Sequence, residues 1–199
     1  DAFFVAFRIP NTFRRLFSEG TFNAAFIPSY SSELLKGKKS GQKFANQIFN
    51  LLLVSLLIIV LIVEILMPGF IYILAPGFKG NEEKIELTIY LTRLTFPFLI
   101  FVSLASFFSA ILNSHNKFAV AAGAPIILNI LLISVLIYGK YLNDDLVIYL
   151  SYAVSLSGLI QLIILIIFSR KYYKAALNFD FKIPPSVKLF FKKLLPSIF

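Results

Sequence analysis

Long apolar runs separated by short polar connections dominate the chain. Five of these runs reach or approach the roughly 20 apolar residues that a helix needs to cross a bilayer core. We therefore predict an all-α polytopic membrane protein with about five transmembrane helices and the start of a sixth. The predicted bundle covers residues 1–168, with helices at 1–35, 44–67, 85–113, 118–138 and 146–168.

The chain after this bundle has a different pattern. Residues 169–193 are basic, aromatic and proline-containing, so we predict an amphipathic connection on the cytoplasmic membrane surface. Residues 194–199 begin another apolar run, which predicts the start of a sixth helix. Because the chain has no initiator Met and stops inside that run, we interpret it as an internal fragment of a longer protein.

The charges of the connections predict the orientation. Twelve Lys and Arg residues fall in three alternate connections, and only three fall in the other two. Since cytoplasmic loops carry the excess of Lys and Arg, we place residues 36–43, 114–117 and 169–193 in the cytoplasm. The first helix then runs inward from the outer face of the membrane.

Composition excludes several function classes. With 58% hydrophobic and 15% charged residues, the chain is far more apolar than a soluble domain. Its net charge of +9 lies between apolar runs, which indicates anionic membrane lipids as partners and no nucleic acid. With no Cys and one His, we expect neither a metal site nor a cofactor, and we find no set of catalytic residues.

Polar residues in the first predicted helix are the main functional signal. At 100° per residue, five of them fall within about 80° of one another, with Asn11 at the edge and Arg14 outside. The five residues of this stripe are Asp1, Arg8, Arg15, Glu19 and Asn23. Ionisable groups at membrane depth are costly, so the stripe predicts a partner or a wet cavity.

Two simpler interpretations compete with a cavity. Arg15 and Glu19 are spaced i, i+4 and could neutralise each other, and Arg14 with Arg15 could extend to the lipid headgroups. Cations outnumber anions in the first helix, however, and paired guanidinium groups suit a phosphate or carboxylate ligand. Arg93 in the third predicted helix is a weaker candidate, because it lies near a membrane surface.

The opening run DAFFVAFRIPNTFRRLFSEGTFNAAFIP resembles the signature of the MurJ (MviN) family of lipid II flippases. Weaker similarities follow in the same order at residues 75–78, 95–98, 103–106, 110–113 and 124–129. The resemblance implies a fourteen-helix transporter of the multidrug/oligosaccharidyl-lipid/polysaccharide exporter superfamily, with two lobes around a cavity that opens alternately to each side. This chain would be most of the N-terminal lobe.

The resemblance also implies a function. The family moves an undecaprenyl-pyrophosphate-linked peptidoglycan precursor, lipid II, from the inner to the outer leaflet, which makes the cell-wall synthesis machinery a further expected partner. A cation-coupled exporter of drugs or polysaccharide lipids is an alternative from the same superfamily. A membrane scaffold without transport, in which the polar stripe forms an ion-pair seam, is another.

The resemblance assigns cavity residues at Asp1, Asn11, Arg14 and Glu19, with Arg15 beside them. We expect Arg14 and Arg15 to bind pyrophosphate, Asp1 and Glu19 to gate or orient them, and Asn11 to add neutral hydrogen bonds. Helical phase favours Arg15 as the ligand-facing cation, whereas the resemblance favours Arg14, and a bend at Pro10 would reconcile the two. Arg8, Asn23 and Arg93 are weaker candidates.

Overall fold

In the computed structural model, helices joined by short connections make up the chain. The structure describes residues 1–18, 21–141, 146–177 and 184–194, with side chains except at positions 9, 13–18, 21, 140, 193 and 194. All regular elements in these ranges are helical, which confirms the predicted all-α class. The α-helices are α1 (Ala2–Ser18), α2 (Thr21–Leu35), α3 (Lys38–Ile65), α4 (Met67–Leu74), α5 (Glu82–Thr95), α6 (Phe98–Ser114), α7 (Phe118–Gly123), α8 (Ile126–Tyr138), α9 (Leu146–Ser169) and α10 (Pro185–Leu194).

Four segments of the described chain are long and apolar enough to cross a membrane. They are Lys38–Ile65, Glu82–Ser114, Phe118–Tyr138 and Leu146–Ser169. The second of these is α5 followed by α6, with a break at Pro97, and the third is α7 followed by α8, with a break at Pro125. The segment predicted as one helix over residues 1–35 contains two described helices, α1 of 17 residues and α2 of 15 residues.

Local chemistry explains two of the helix ends. The Asn81 side chain accepts a hydrogen bond from the Lys84 amide and caps α5, whose first turn carries Glu82 and Glu83. Gly37 has φ 128° between α2 and α3, a left-handed conformation that side chains with a Cβ disfavour. This glycine lets α3 fold back along α2.

Helix α6 lies at the centre of the bundle. Its sequence is apolar on every side, which is typical of a helix surrounded by protein. Phe98, Phe107 and Ile111 are fully buried, and α6 packs against α1, α2, α3 and α9. The helices around it therefore share one core.

Helix α3 and the segment formed by α7 and α8 expose apolar faces. Within their most apolar stretches, only 22% and 11% of residues are buried. Leu61 of α3 is 62% exposed and Ile137 of α8 is 65% exposed. Such faces suit contact with lipid chains or with other membrane helices.

Three connections meet at one end of the bundle. The His115 ring stacks on Tyr172 with 4.3 Å between ring centroids, and the Tyr173 hydroxyl donates to the Asn46 side chain at 2.6 Å. These contacts gather the 114–117 loop, the segment after α9 and the start of α3, next to residues 36–43. These contacts agree with a location of the three basic connections on one side of the membrane. That this side is the cytoplasm stays a prediction.

Candidate functional site

One face of α1 packs closely on the bundle through small residues. Ala2 is 7% exposed, Ala6 is 0% exposed, and both form a buried cluster with Leu91 of α5. Pro10, one further turn along, is also buried. Small side chains at spacing i, i+4 let two helix backbones approach closely, which is a common way to join helices in membranes.

The opposite face of α1 is open and polar. Arg8 and Thr12 are exposed, the side chain of Asp1 is 76% exposed, and Asn11 beside them is half-buried. Phe4, at 74% exposure, is the large apolar residue among them. The structure therefore brings Asp1, Arg8 and Asn11 of the predicted stripe to one side of one helix.

Pro10 leaves the carbonyl group of Ala6 without its helical donor, because proline has no amide N–H. The hydroxyl of Thr95, at the end of α5, donates to this carbonyl oxygen at 3.0 Å. Thr95 is 0% exposed, so the bond lies in the protein interior. A neighbouring side chain thus satisfies the carbonyl that Pro10 frees, as membrane helices with prolines require.

Thr95 lies beside a second interruption. The α5 helix ends at Thr95 and α6 begins at Phe98, with Pro97 between them. The hydroxyl of Ser155 in α9 donates to the carbonyl oxygen of Leu94, close to the same break. Hydroxyl groups therefore join α1 to α5 at the carbonyl that Pro10 frees, and α5 to α9 beside the break between α5 and α6.

Asp1 forms an ion pair that the sequence did not suggest. Its Oδ2 lies 2.9 Å from the Nζ of Lys84, near the start of α5. Lys84 also lies 4.2 Å from the centroid of the Phe78 ring. We expected Asp1 to gate or orient the arginines; the observed partner is Lys84, which our prediction treated only as a loop cation. No sequence spacing links positions 83 residues apart.

Three further residues of the first predicted helix, Arg14, Arg15 and Glu19, were expected to bind the ligand or to orient the residues that bind it. The backbone of Arg14 and Arg15 is helical, in a helix that continues through Pro10. Their side chains lie outside the described part, and Glu19 lies outside it entirely. The choice between Arg14 and Arg15 as the ligand-facing cation therefore stays a prediction.

Two weaker candidates lie beyond α1. Asn23 in α2 is half-buried, and within the described chain its Oδ1 atom is buried with no hydrogen-bond partner. Arg93 in α5 lies 3.7 Å, measured from Nε to Oε2, from Glu64 in α3. At 100° per residue, Arg93 is about 160° around α5 from Leu91, the residue that faces α1.

Two cavities in the described part of the structure lie away from α1. One of about 440 Å³ lies between α3, α6 and α9, and another of about 280 Å³ lies between α2, α3 and α10. Neither of these two is lined by α1. No group of three or more His, Cys, Asp or Glu residues that could hold a metal ion occurs within the described ranges.

Comparison with known proteins gives one consistent answer. The family model described as lipid II flippase MurJ matches residues 1–199. A probable lipid II flippase MurJ from Rickettsia prowazekii is 41% identical over 172 residues, which cover 86% of this chain and 34% of that protein. The probable lipid II flippase MurJ of Rhizobium tropici is 38% identical over 205 residues, covering 99% of this chain and 38% of that protein.

A solved structure has the same fold. The structure described as lipid II flippase MurJ in an inward closed conformation aligns with a TM-score of 0.78 at 24% sequence identity. The alignment covers 100% of this chain and 41% of that protein. The chain thus spans little more than a third of the length of the curated relatives it matches.

Proposed function

Because the chain belongs to the lipid II flippase MurJ family, we propose that it forms part of a transporter for lipid II. Lipid II here means the undecaprenyl-pyrophosphate-linked precursor of peptidoglycan. The transporter moves it from the inner to the outer leaflet of the bacterial cytoplasmic membrane for cell-wall synthesis. In this proposal the protein rearranges no covalent bond and needs no cofactor.

The two-sided packing of α1 is the observation that carries the proposal. One face is buried against α5 and α6, while the other exposes Asp1, Arg8 and Thr12. A charged face is expensive against hydrocarbon, so in a membrane it must face water, a polar ligand or another polar element. A substrate pathway supplies the first two of these.

Charge identifies the class of ligand. Asp1 is paired with Lys84, whereas Arg8 is exposed on the same face. With Arg14 and Arg15 further along, the helix has an excess of positive charge. Guanidinium groups bind phosphate oxygens through two parallel hydrogen bonds, and a pyrophosphate offers several such oxygens.

We assign the residues as follows within this proposal. Arg14, with Arg15 beside it, binds the pyrophosphate, and Asn11 adds neutral hydrogen bonds. Glu19 orients these arginines. Asp1 fixes the start of α1 to α5 through Lys84, which makes it a gate residue at the outer end and not a direct partner of the ligand.

The location follows from the charges of the loops. The chain is a multi-pass membrane protein, as its family and its apolar helices indicate. We place residues 36–43, 114–117 and 169–193 in the cytoplasm, since they hold most of the loop cations. The contacts that bring His115 close to Tyr172, and Asn46 close to Tyr173, support one common side for these loops.

The alternatives have less support. A cation-coupled exporter would be expected to have an acidic, aromatic pathway, whereas the carboxylate of Asp1 is already paired with Lys84. A scaffold with a dry ion-pair seam would bury its charges, whereas Arg8 is exposed in the described structure. Both observations favour an open face for an anionic ligand.

Arg14→Ala in the complete protein tests the proposal. We expect the variant to reach the membrane at a normal level but to leave lipid II in the inner leaflet, so that cells depleted of their flippase do not grow. The expected loss is at least tenfold in translocation, about 1.4 kcal/mol or more, because a charged hydrogen bond is worth about 1.5–3 kcal/mol.

Lys39→Ala is the matched control, since it removes one exposed cation from the same protein. It should grow normally. Normal growth and normal outer-leaflet lipid II with Arg14→Ala would reject the pyrophosphate assignment. Loss of function with both variants would show that the effect is one of general charge and not of this site.

A further inference from the structure

A groove lies between α3 and α9 at the end of the bundle where the three basic connections meet. It has a volume of about 440 Å³. Its lining residues are Phe49, Phe108, Ile166, Arg170, Tyr173, Lys174 and Ala175. Phe49 and Phe108 form an aromatic floor, and Ile166 is the aliphatic wall on α9. The groove is therefore apolar along its length and cationic at one end.

The segment after α9 holds the two cations in place. The Tyr173 hydroxyl and the Ala176 amide both donate to Asn46 Oδ1, at 2.6 and 3.2 Å. The Asn50 side-chain amide donates to the Ala176 carbonyl at 3.3 Å, and that of Gln42 donates to the Lys174 carbonyl at 3.4 Å. Three amide side chains of α3 thus fix a non-helical segment along the groove.

Burial keeps one of these bonds intact over the physiological pH range. Tyr173 is 2% exposed, and burial raises the pKa of its hydroxyl well above the ordinary value of 10.0. The hydroxyl therefore remains a donor to Asn46. A fixed backbone reduces the entropy that Arg170 and Lys174 lose when they bind a ligand.

The charged residues that line the groove are all cations. Arg170 and Lys174 are exposed at its mouth, and no carboxylate is among its lining residues. Arg170 directly follows the membrane-spanning segment Leu146–Ser169, so the mouth lies at the level where lipid headgroups begin. The neighbouring residues Ile167 and Phe168 are 53% and 55% exposed on the apolar surface of α9.

We propose that this groove binds a phospholipid with a net negative headgroup. The phosphate lies between Arg170 and Lys174, and one acyl chain lies along Phe49, Phe108 and Ile166. Basic pockets between membrane helices on the cytoplasmic side have the right chemistry for such lipids. The site uses α3, α6 and α9 and no residue of α1, so it is separate from the proposed lipid II face. It rests on the membrane location and not on the proposed transport.

Lipid retention by the complete protein tests this site. The protein is equilibrated with equal amounts of phosphatidylglycerol and phosphatidylcholine, and bound lipid is counted by native mass spectrometry. We expect the double variant R170Q/K174Q to retain about tenfold less phosphatidylglycerol than the unmodified protein, with no change in phosphatidylcholine. The control K38Q/K39Q removes two exposed cations from the start of α3, outside the groove, and should retain the lipid.

A second variant tests the apolar half without changing charge. Ile166→Phe should fill the groove and lower phosphatidylglycerol retention, and inorganic phosphate or glycerol phosphate at millimolar concentration should not displace the bound lipid. The proposal is wrong if R170Q/K174Q retains as much phosphatidylglycerol as the unmodified protein. Equal loss in K38Q/K39Q would show a diffuse surface charge effect, and displacement by inorganic phosphate would show a simple anion site; either result overturns it.

Discussion

The two helices at the start of the chain, α1 and α2, are held in the bundle by opposite means. The buried face of α1 consists of Ala2, Ala6 and Pro10, and its other face is open. The buried face of α2 consists of Phe22, Phe26 and Tyr30, whose rings stack in sequence with centroids 5.3 and 5.4 Å apart. The sequence suggested one continuous helix for both.

The surroundings of α2 extend this contrast. Phe26 also contacts the rings of Phe44, Phe107 and Phe190, which come from α3, α6 and α10. Aromatic pairs add about 0.5–1.5 kcal/mol each beyond their burial. Helix α1 has the close contacts of Ala2 and Ala6 and the half-buried rings of Phe3 and Phe7, together with one hydroxyl bond and one exposed ion pair. Exposed ion pairs contribute about 0–1 kcal/mol. The helix that carries the polar face thus depends less on aromatic packing than the next helix does.

The largest expected effect compares two phenylalanines. Phe26 is 0% exposed in α2, and Phe4 is 74% exposed in α1. Phe26→Ala should lower the free energy of unfolding by about 3–5 kcal/mol, because it leaves a cavity in a packed core. Phe4→Ala should cost about 0.5 kcal/mol or less, like most exposed substitutions. Denaturant unfolding of the complete protein in detergent measures both, and similar losses would contradict the contrast between the two helices.

A double-mutant cycle between Thr95 and Pro10 should give the next largest effect. Thr95→Val removes the donor to the Ala6 carbonyl while keeping the side-chain shape, and should cost about 1–2 kcal/mol. Pro10→Ala restores the helical N–H, so the same Thr95→Val change should cost less than half as much in that background. Part of the cost remains, since the hydroxyl also lies 3.1 Å from the Thr92 carbonyl.

Unfolding of the four proteins of this cycle measures the coupling directly. Thr95→Ser retains the hydroxyl and is the matched control, with little expected change. Equal costs of Thr95→Val with proline and with alanine at position 10 would show that the Thr95 bond does not compensate for the proline. The attachment of α1 would then rest on its apolar contacts and on the Asp1–Lys84 ion pair.

The sequence predicted the parts of the fold that depend on composition along the chain. Apolar runs predicted helices, and the structure places Asp1 and Arg8 of the predicted stripe on the exposed side of α1. Their part in a binding site stays a prediction. The bilayer favours such patterns, because apolar side chains must face lipid or protein and charged side chains must face water or a polar partner. Such patterns are local and can be read without a partner.

Contacts between distant residues were not predictable in this way. Arg93 was interpreted from the sequence as a residue near a membrane surface, yet it forms an ion pair with Glu64 between α3 and α5. Nothing in the sequence indicated that Lys84 would form an ion pair with Asp1. One signal was available for Thr95, since Pro10 frees a carbonyl that some buried donor must satisfy. The identity of that donor depends on how α1 packs on α5.

The smallest expected effect tests whether the end of the bundle beside α2 excludes water. His115 stacks on Tyr172 and meets Tyr30 of α2 edge-on, with 6.1 Å between ring centroids. Burial lowers the pKa of His115 below its ordinary value of 6.5. Below pH 6.5 the unfolded chain therefore binds a proton that the folded chain does not, and stability falls as the pH decreases. Above pH 6.5 this group has no effect.

His115→Phe keeps an aromatic ring beside Tyr172 but cannot titrate, so it is the control. We expect the melting temperature of the complete protein to fall by about 1 °C more between pH 7.5 and 5.5 than that of the variant. If the protein and the variant respond equally to pH, water reaches His115 in the folded state, and the aromatic cluster of α2 is more open than its packing indicates.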